Sequence, residues 1–150
     1  MTTSIERPTD LIDLAGTELG TTDWYPITQE QVNEFADATG DRQWIHTDPA
    51  RAATGPFRGT IAHGYLTLAL VSRAIAELLA IENLQAAVNY GLNKVRFPAP
   101  VPVGSKVRAS ARVVSAQQRD AGVEAVLGVV FEVNGSPRPA CVAECVVIYR

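Results

Sequence analysis

The chain has 150 residues and a mass of 16.1 kDa, the size of one ordinary domain, which argues against a two-domain enzyme. Hydrophobic residues make up 47% and charged residues 19%, so there is ample apolar surface for a core, and disorder is excluded as the dominant state. Thirteen Lys and Arg against sixteen Asp and Glu leave a net charge of −3, which offers no electrostatic footprint for nucleic acid or an anionic membrane surface.

The first ten residues, MTTSIERPTD, hold Glu6, Arg7, Pro8 and Asp10 where a signal peptide needs an apolar run, so a cytoplasmic location is expected. Residues 1–17 read as an N-terminal extension, with Leu11, Ile12 and Leu14 on a short amphipathic turn over 10–15. TDWYPI, 22–27, reads as a first strand. Thr28 followed three residues later by Gln31 is a capping-box pattern. Val32, Phe35, Ala36 and Thr39 then follow at helical spacing, and Gly40 is placed to stop the helix, which predicts a helix over about 28–39. Asp48-Pro49 repeats the start signal ahead of ARAAT, and GPFRGT, 55–60, breaks that segment.

From Ile61 to about Ala80 apolar residues cover nearly every side of a predicted helix, so that helix should be surrounded. His63, Arg73 and Glu77 interrupt it, leaving less than the about 20 uncharged residues a bilayer requires. Beyond it the period changes to two: Val107, Ala109, Ala111 and Val113 alternate with Arg108, Ser110 and Arg112. Strands are predicted over 86–97, 105–117, 123–133 and 138–149. Short turns at Asp120-Ala121-Gly122 and Asn134-Gly135 make the last three antiparallel neighbours. Cys141 and Cys145, four apart on a strand, lie roughly 13 Å from each other and read as reduced buried thiols. One apolar helix followed by an antiparallel meander predicts an α+β hotdog fold, a curved antiparallel sheet wrapped around a long central helix. The last strand is apolar on both faces, which calls for a second burying surface, most simply a partner subunit.

TGDRQWIHTDP, 39–49, sets Asp41 five residues before His46. On one helix that spacing separates the side chains by about 140°, so they converge only if the helix has ended, as Gly40 predicts. A carboxylate and an imidazole converging on one water can exchange protons with it. The same spacing also fits Asp41 as a turn residue and His46 as a satisfied loop side chain. In GTIAHGYLT, 59–67, His63 and Gly64 fall at the first turn of the apolar helix, where backbone N–H groups lack intrahelical partners. Gly64 lets a ligand approach them, although close packing explains it equally, and His63 reads as a structural hydrogen-bonding residue. With two histidines and no cysteine cluster, no metal-ligand spacing is present.

The blocks GDRQWIH, IAHGYLT and NKVRFPAPVPVGS (93–105), in that order, resemble the MaoC-like dehydratases and (R)-specific enoyl-CoA hydratases, hotdog proteins with a loop signature near GDxNPIH. The resemblance spans about residues 18–149. It implies that Asp41 and His46 form a catalytic dyad and that the Gly64 N–H is an oxyanion donor. Gln43 and Trp44 stand where asparagine and proline are common. The resemblance sets them, with His63, Asn93 and Arg96, among the substrate-binding positions, though a solvent-facing strand position fits Asn93 and Arg96 as well. The implied reaction is reversible hydration of a trans-2-enoyl thioester of coenzyme A or acyl carrier protein to the (R)-3-hydroxyacyl product, by a cytoplasmic homodimer without metal or cofactor. The rivals are a hotdog acyl-CoA thioesterase, in which water attacks the carbonyl, and a non-catalytic acyl-binding subunit of a heterodimeric dehydratase.

Overall fold

A computed structural model describes all residues, 1–150. Strand β1 (Thr3–Ile5) leads into a 3-10 helix over Pro8–Leu14. Strands β2 (Glu18–Thr21) and β3 (Tyr25–Pro26) follow, then helix α1 (Gln29–Thr39) and two one-turn helices, α2 (Trp44–Thr47) and α3 (Pro49–Ala52). Helices α4 (Gly64–Ala69) and α5 (Val71–Leu78) run into β4 (Leu79–Ile81). The chain closes with β5 (Ala87–Arg96), β6 (Lys106–Arg119), β7 (Gly122–Val133) and β8 (Pro139–Tyr149). The main sheet is antiparallel in the order β2-β6-β7-β8-β5, with β3 also on β6. The α4–α5 helix packs on this sheet, the arrangement of a hotdog.

The sheet forms where period-two alternation predicts it. Val107, Ala109, Ala111 and Val113 of β6, and Val123, Ala125, Leu127, Val129 and Phe131 of β7, turn inward and are fully or almost fully buried. Three of these are alanines, and Ala74 on α5 is also fully buried, so small side chains on both layers allow a close approach of helix and sheet. Both cysteines are free and buried, and burial pushes their thiols up to about 11.

Four expectations change in detail. The helix predicted over 61–80 starts at Gly64 and is interrupted at Leu70, whose N–H is shared between the Leu66 and Thr67 carbonyls. Nor is it surrounded: Tyr65, Ala69, Ser72, Arg73, Ala76 and Glu77 form an exposed face. Of the strand predicted over 22–27 only Tyr25–Pro26 forms, with β2 ending ahead of it at Thr21, because the Thr22 hydroxyl, not a backbone carbonyl, accepts the Ala109 N–H at 3.0 Å, and Pro26 has no N–H to extend the ladder. The N-terminal segment is integral to the core. Leu11 is fully buried, and β1 pairs in parallel with β4.

Candidate active site

Local sequence signals aim Asp41. The Thr28 hydroxyl caps α1 by accepting the Gln31 N–H at 3.1 Å, and Gly40 ends the helix at φ 79°, a left-handed conformation that favours glycine. The chain therefore turns directly before Asp41, whose N–H donates to the Thr39 hydroxyl at 3.3 Å. Instead of continuing as a loop, it then forms the single turn α2, which buries His46. Two residues the sequence reading missed hold this turn in place. Gln29 donates from Nε2 to the His46 carbonyl at 2.7 Å and accepts the Thr60 hydroxyl on Oε1 at 2.7 Å. These partners lie 17 and 31 residues away from Gln29, so no spacing rule could have linked them.

Hydrogen bonding defines the imidazole tautomers. His46 Nδ1 lies 2.6 Å from the Ile61 carbonyl. A carbonyl can only accept, so Nδ1 carries the proton and Nε2 keeps its lone pair. By the same argument His63 Nε2, 2.9 Å from the Asp41 carbonyl, is protonated, and its buried Nδ1 has no partner. The two rings stack with centroids 3.9 Å apart and planes 24° from parallel. Burial lowers the pKa of His46 below the ordinary histidine value. The Ile61 carbonyl opposes that shift, His63 adds to it and Asp41 opposes it. The ring is thus held ready to accept a proton at neutral pH.

One side-chain atom each from Asp41, His46 and His63 falls within 4.8 Å of the others. Two imidazoles that chelate one ion turn their ring edges towards it, whereas these lie face to face. His46, Gly64 and Thr67 line a cleft of about 270 Å³, with Phe57, Ile61 and Phe97 among its apolar walls. Gly64 is the first residue of α4, where its N–H has no intrahelical acceptor. A Cβ there would meet the Phe97 ring at 3.3 Å, so the glycine lets the ring close over the cleft.

The other positions lie apart. Asn93 and Arg96 are exposed on β5, and the Arg96 guanidinium donates to the Val95 carbonyl at 2.7 Å; neither reaches this cleft within one chain. Gln43 is exposed and makes no side-chain cap bond. Trp44 packs beneath the Arg51 guanidinium, 4.4 Å from its ring, and against Gly55, away from the cleft walls.

The family model for the MaoC like domain matches residues 12–134. The chain belongs to the MaoC-like family. It is 54% identical over 147 residues, 97% of either chain, to 3-hydroxyacyl-thioester dehydratase Z of Mycobacterium tuberculosis. It is 40% identical over 142 residues to nodulation protein N of Rhizobium meliloti, covering 93% of this chain and 88% of that one. The solved (R)-hydratase from A. caviae involved in PHA biosynthesis superposes with a TM-score of 0.72 at 28% identity, over 90% of this chain and 98% of that one. The MaoC-like chain is therefore a hotdog enzyme of the dehydratase and hydratase class. None of its helices is long and apolar enough to cross a membrane.

Proposed function

We propose that this enzyme reversibly adds water across the double bond of a trans-2-enoyl thioester of coenzyme A, forming the (R)-3-hydroxyacyl thioester. The observation that carries this reading is an imidazole with a free Nε2 lone pair and an unbonded backbone N–H lining one apolar cleft, with the Asp41 carboxylate within 4.8 Å of the imidazole. Asp41 accepts a hydrogen bond from one O–H of the attacking water, which that oxygen keeps, while His46 Nε2 removes the other proton as the oxygen bonds to C3. The C2–C3 electron pair moves towards the thioester carbonyl, and the Gly64 N–H stabilises the resulting enolate oxygen. The imidazolium then returns its proton to C2, so the net change is addition of one water. The similarity to an enzyme named for 3-hydroxyacyl thioesters and to one named an (R)-hydratase supports the substrate class and the stereochemistry.

The purified protein, given short and long trans-2-enoyl-CoAs, is expected to remove the conjugated double bond far faster than it releases thiol, and chiral analysis should return the (R) product. Thiol release outpacing double-bond loss would favour the thioesterase reading instead.

The same proposal includes a homodimer. Nine of the ten residues of β5 are exposed at the sheet edge, with Tyr90 69% and Leu92 48% accessible. The adjacent face of α4–α5 exposes Tyr65 at 72%. Two apolar grooves run between that helix and the β5–β8 pair. A second copy laid over this edge would cover the unpaired strand and both grooves, and a stable interface of this kind buries about 1,600 Å². Light scattering at micromolar concentration should return twice the 16.1 kDa chain mass; a fully active monomer would refute the assembly.

A further inference from the structure

His63 is 2% exposed and makes three contacts that distinguish it from an ordinary core histidine. Its ring lies face to face with His46 at 3.9 Å. Its Nε2–H donates to the backbone carbonyl of Asp41, 22 residues earlier, at 2.9 Å. On a further side the Phe35 ring, on α1, sits with its centroid 4.8 Å from that of His63. One side chain from the start of α4 therefore touches both members of the proposed dyad, one through a ring face and the other through the main chain. Helix α1 supplies the backing. No other side chain in the hydrogen-bond network has this double reach: of the two dyad residues, Gln29 bonds His46 alone and Thr39 bonds Asp41 alone.

We propose that His63 is a positioning residue which fixes the separation and relative orientation of Asp41 and His46, and that it does not itself contact substrate. This rests on the hydration reading for its kinetic consequences but not for its structural ones. The ring stack prevents His46 from swinging about its side-chain torsions while its Nδ1–H stays on Ile61. The bond to the Asp41 carbonyl pins the chain directly after the Gly40 turn. Displacements of about 1 Å in a reacting group cost on the order of a hundredfold in rate, so losing either restraint should register in turnover before it registers in affinity. The titratable groups facing His46 are Asp41, from the loop after α1, and His63 itself; the Ile61 carbonyl that holds its ring is uncharged.

Two variants separate the two restraints. His63→Phe keeps an aromatic face for His46 and loses the bond to Asp41, while His63→Gln keeps a donor and loses the stack. Each is expected to fold, to lower kcat by about 10-fold to 100-fold and to leave KM comparatively unchanged. The acid limb of the kcat/KM profile in His63→Gln should move to higher pH, because removing the ring takes away part of the burial and the repulsion that lower His46. A rise in KM with kcat preserved would make His63 a substrate-binding residue, and unchanged kcat with an unchanged pH profile in folded variants would leave it purely structural. Either result overturns the proposal.

Proton–nitrogen long-range NMR correlations on the unmodified protein give a test that needs neither folding of a variant nor any activity. The chain has only two histidines, so both imidazoles can be resolved. The expected spectrum shows His46 as the Nδ1–H tautomer and His63 as the Nε2–H tautomer. A His63 found in the Nδ1–H form cannot donate to Asp41, and the positioning role falls. If the tautomers are as expected but no enoyl thioester is hydrated, the hydration reading fails while the positioning geometry stands.

Discussion

Asp41→Asn and His46→Gln should each lower kcat by about 10²–10⁴-fold, the range over which positioned acid–base groups act, with KM altered far less. Both substitutions keep approximate size, and Asp41 is exposed, so its replacement leaves no buried group unpaired. His46 is buried and bonded to Ile61 through Nδ1. The amide of Gln can still donate to that carbonyl, but it offers no imidazole lone pair. If both groups act on the same water, as proposed, losing either disables the same step, and the double variant should be scarcely slower than the worse single one. Steady-state kinetics on folded variants, compared by circular dichroism and thermal melting, would show this. An Asp41→Asn enzyme with near-normal kcat on every enoyl-CoA would remove the carboxylate from the mechanism.

The second large effect is expected at a backbone atom. Gly64→Pro deletes the Gly64 N–H at a position where proline is tolerated, since the first residue of a helix needs no intrahelical donor. The preceding residue is also suitable: His63 has φ −61° and ψ 137°, the extended region that precedes proline comfortably. If that N–H stabilises the enolate, kcat should drop by about 10²–10³-fold, the usual loss for one oxyanion donor. Gly64→Ala is the control for bulk. It retains the N–H and adds only a methyl group 3.3 Å from Phe97, a ring that is 40% exposed and has room to yield. The proline variant should therefore be much the slower of the two at similar melting temperature. Equal rates in the two variants would assign the effect to crowding and dismiss the donor.

Much of this arrangement is legible in the sequence because it is local. Thr28, the apolar positions through Thr39 and the Gly40 stop define α1 within a dozen residues, and that stop is what frees Asp41 from the helix. The β6–β7–β8 meander follows from alternation and two short turns. What stayed hidden depends on residues far apart in the chain. The Gln29 bridge to His46 and Thr60, the stacking of His63 on His46 and the capture of Asp41 by His63 are all long-range contacts. The interruption at Leu70 was equally invisible, because an unbroken apolar run carries no mark of where a helix tightens. Asn93 and Arg96 lie in a recognisable block, but that block does not say which side of the strand they occupy, and both are exposed in the single chain.

Ile61 and Asp41 orient the two imidazoles through main-chain oxygens, and main-chain oxygens survive replacement of the side chains around them. The walls where an acyl group would lie are different, being made of interchangeable side chains such as Phe57 and Phe97. Reactivity and appetite are thereby written in separate materials. Reshaping Phe57 to admit a longer or more branched chain would leave the two main-chain bonds that orient His46 and His63 in place.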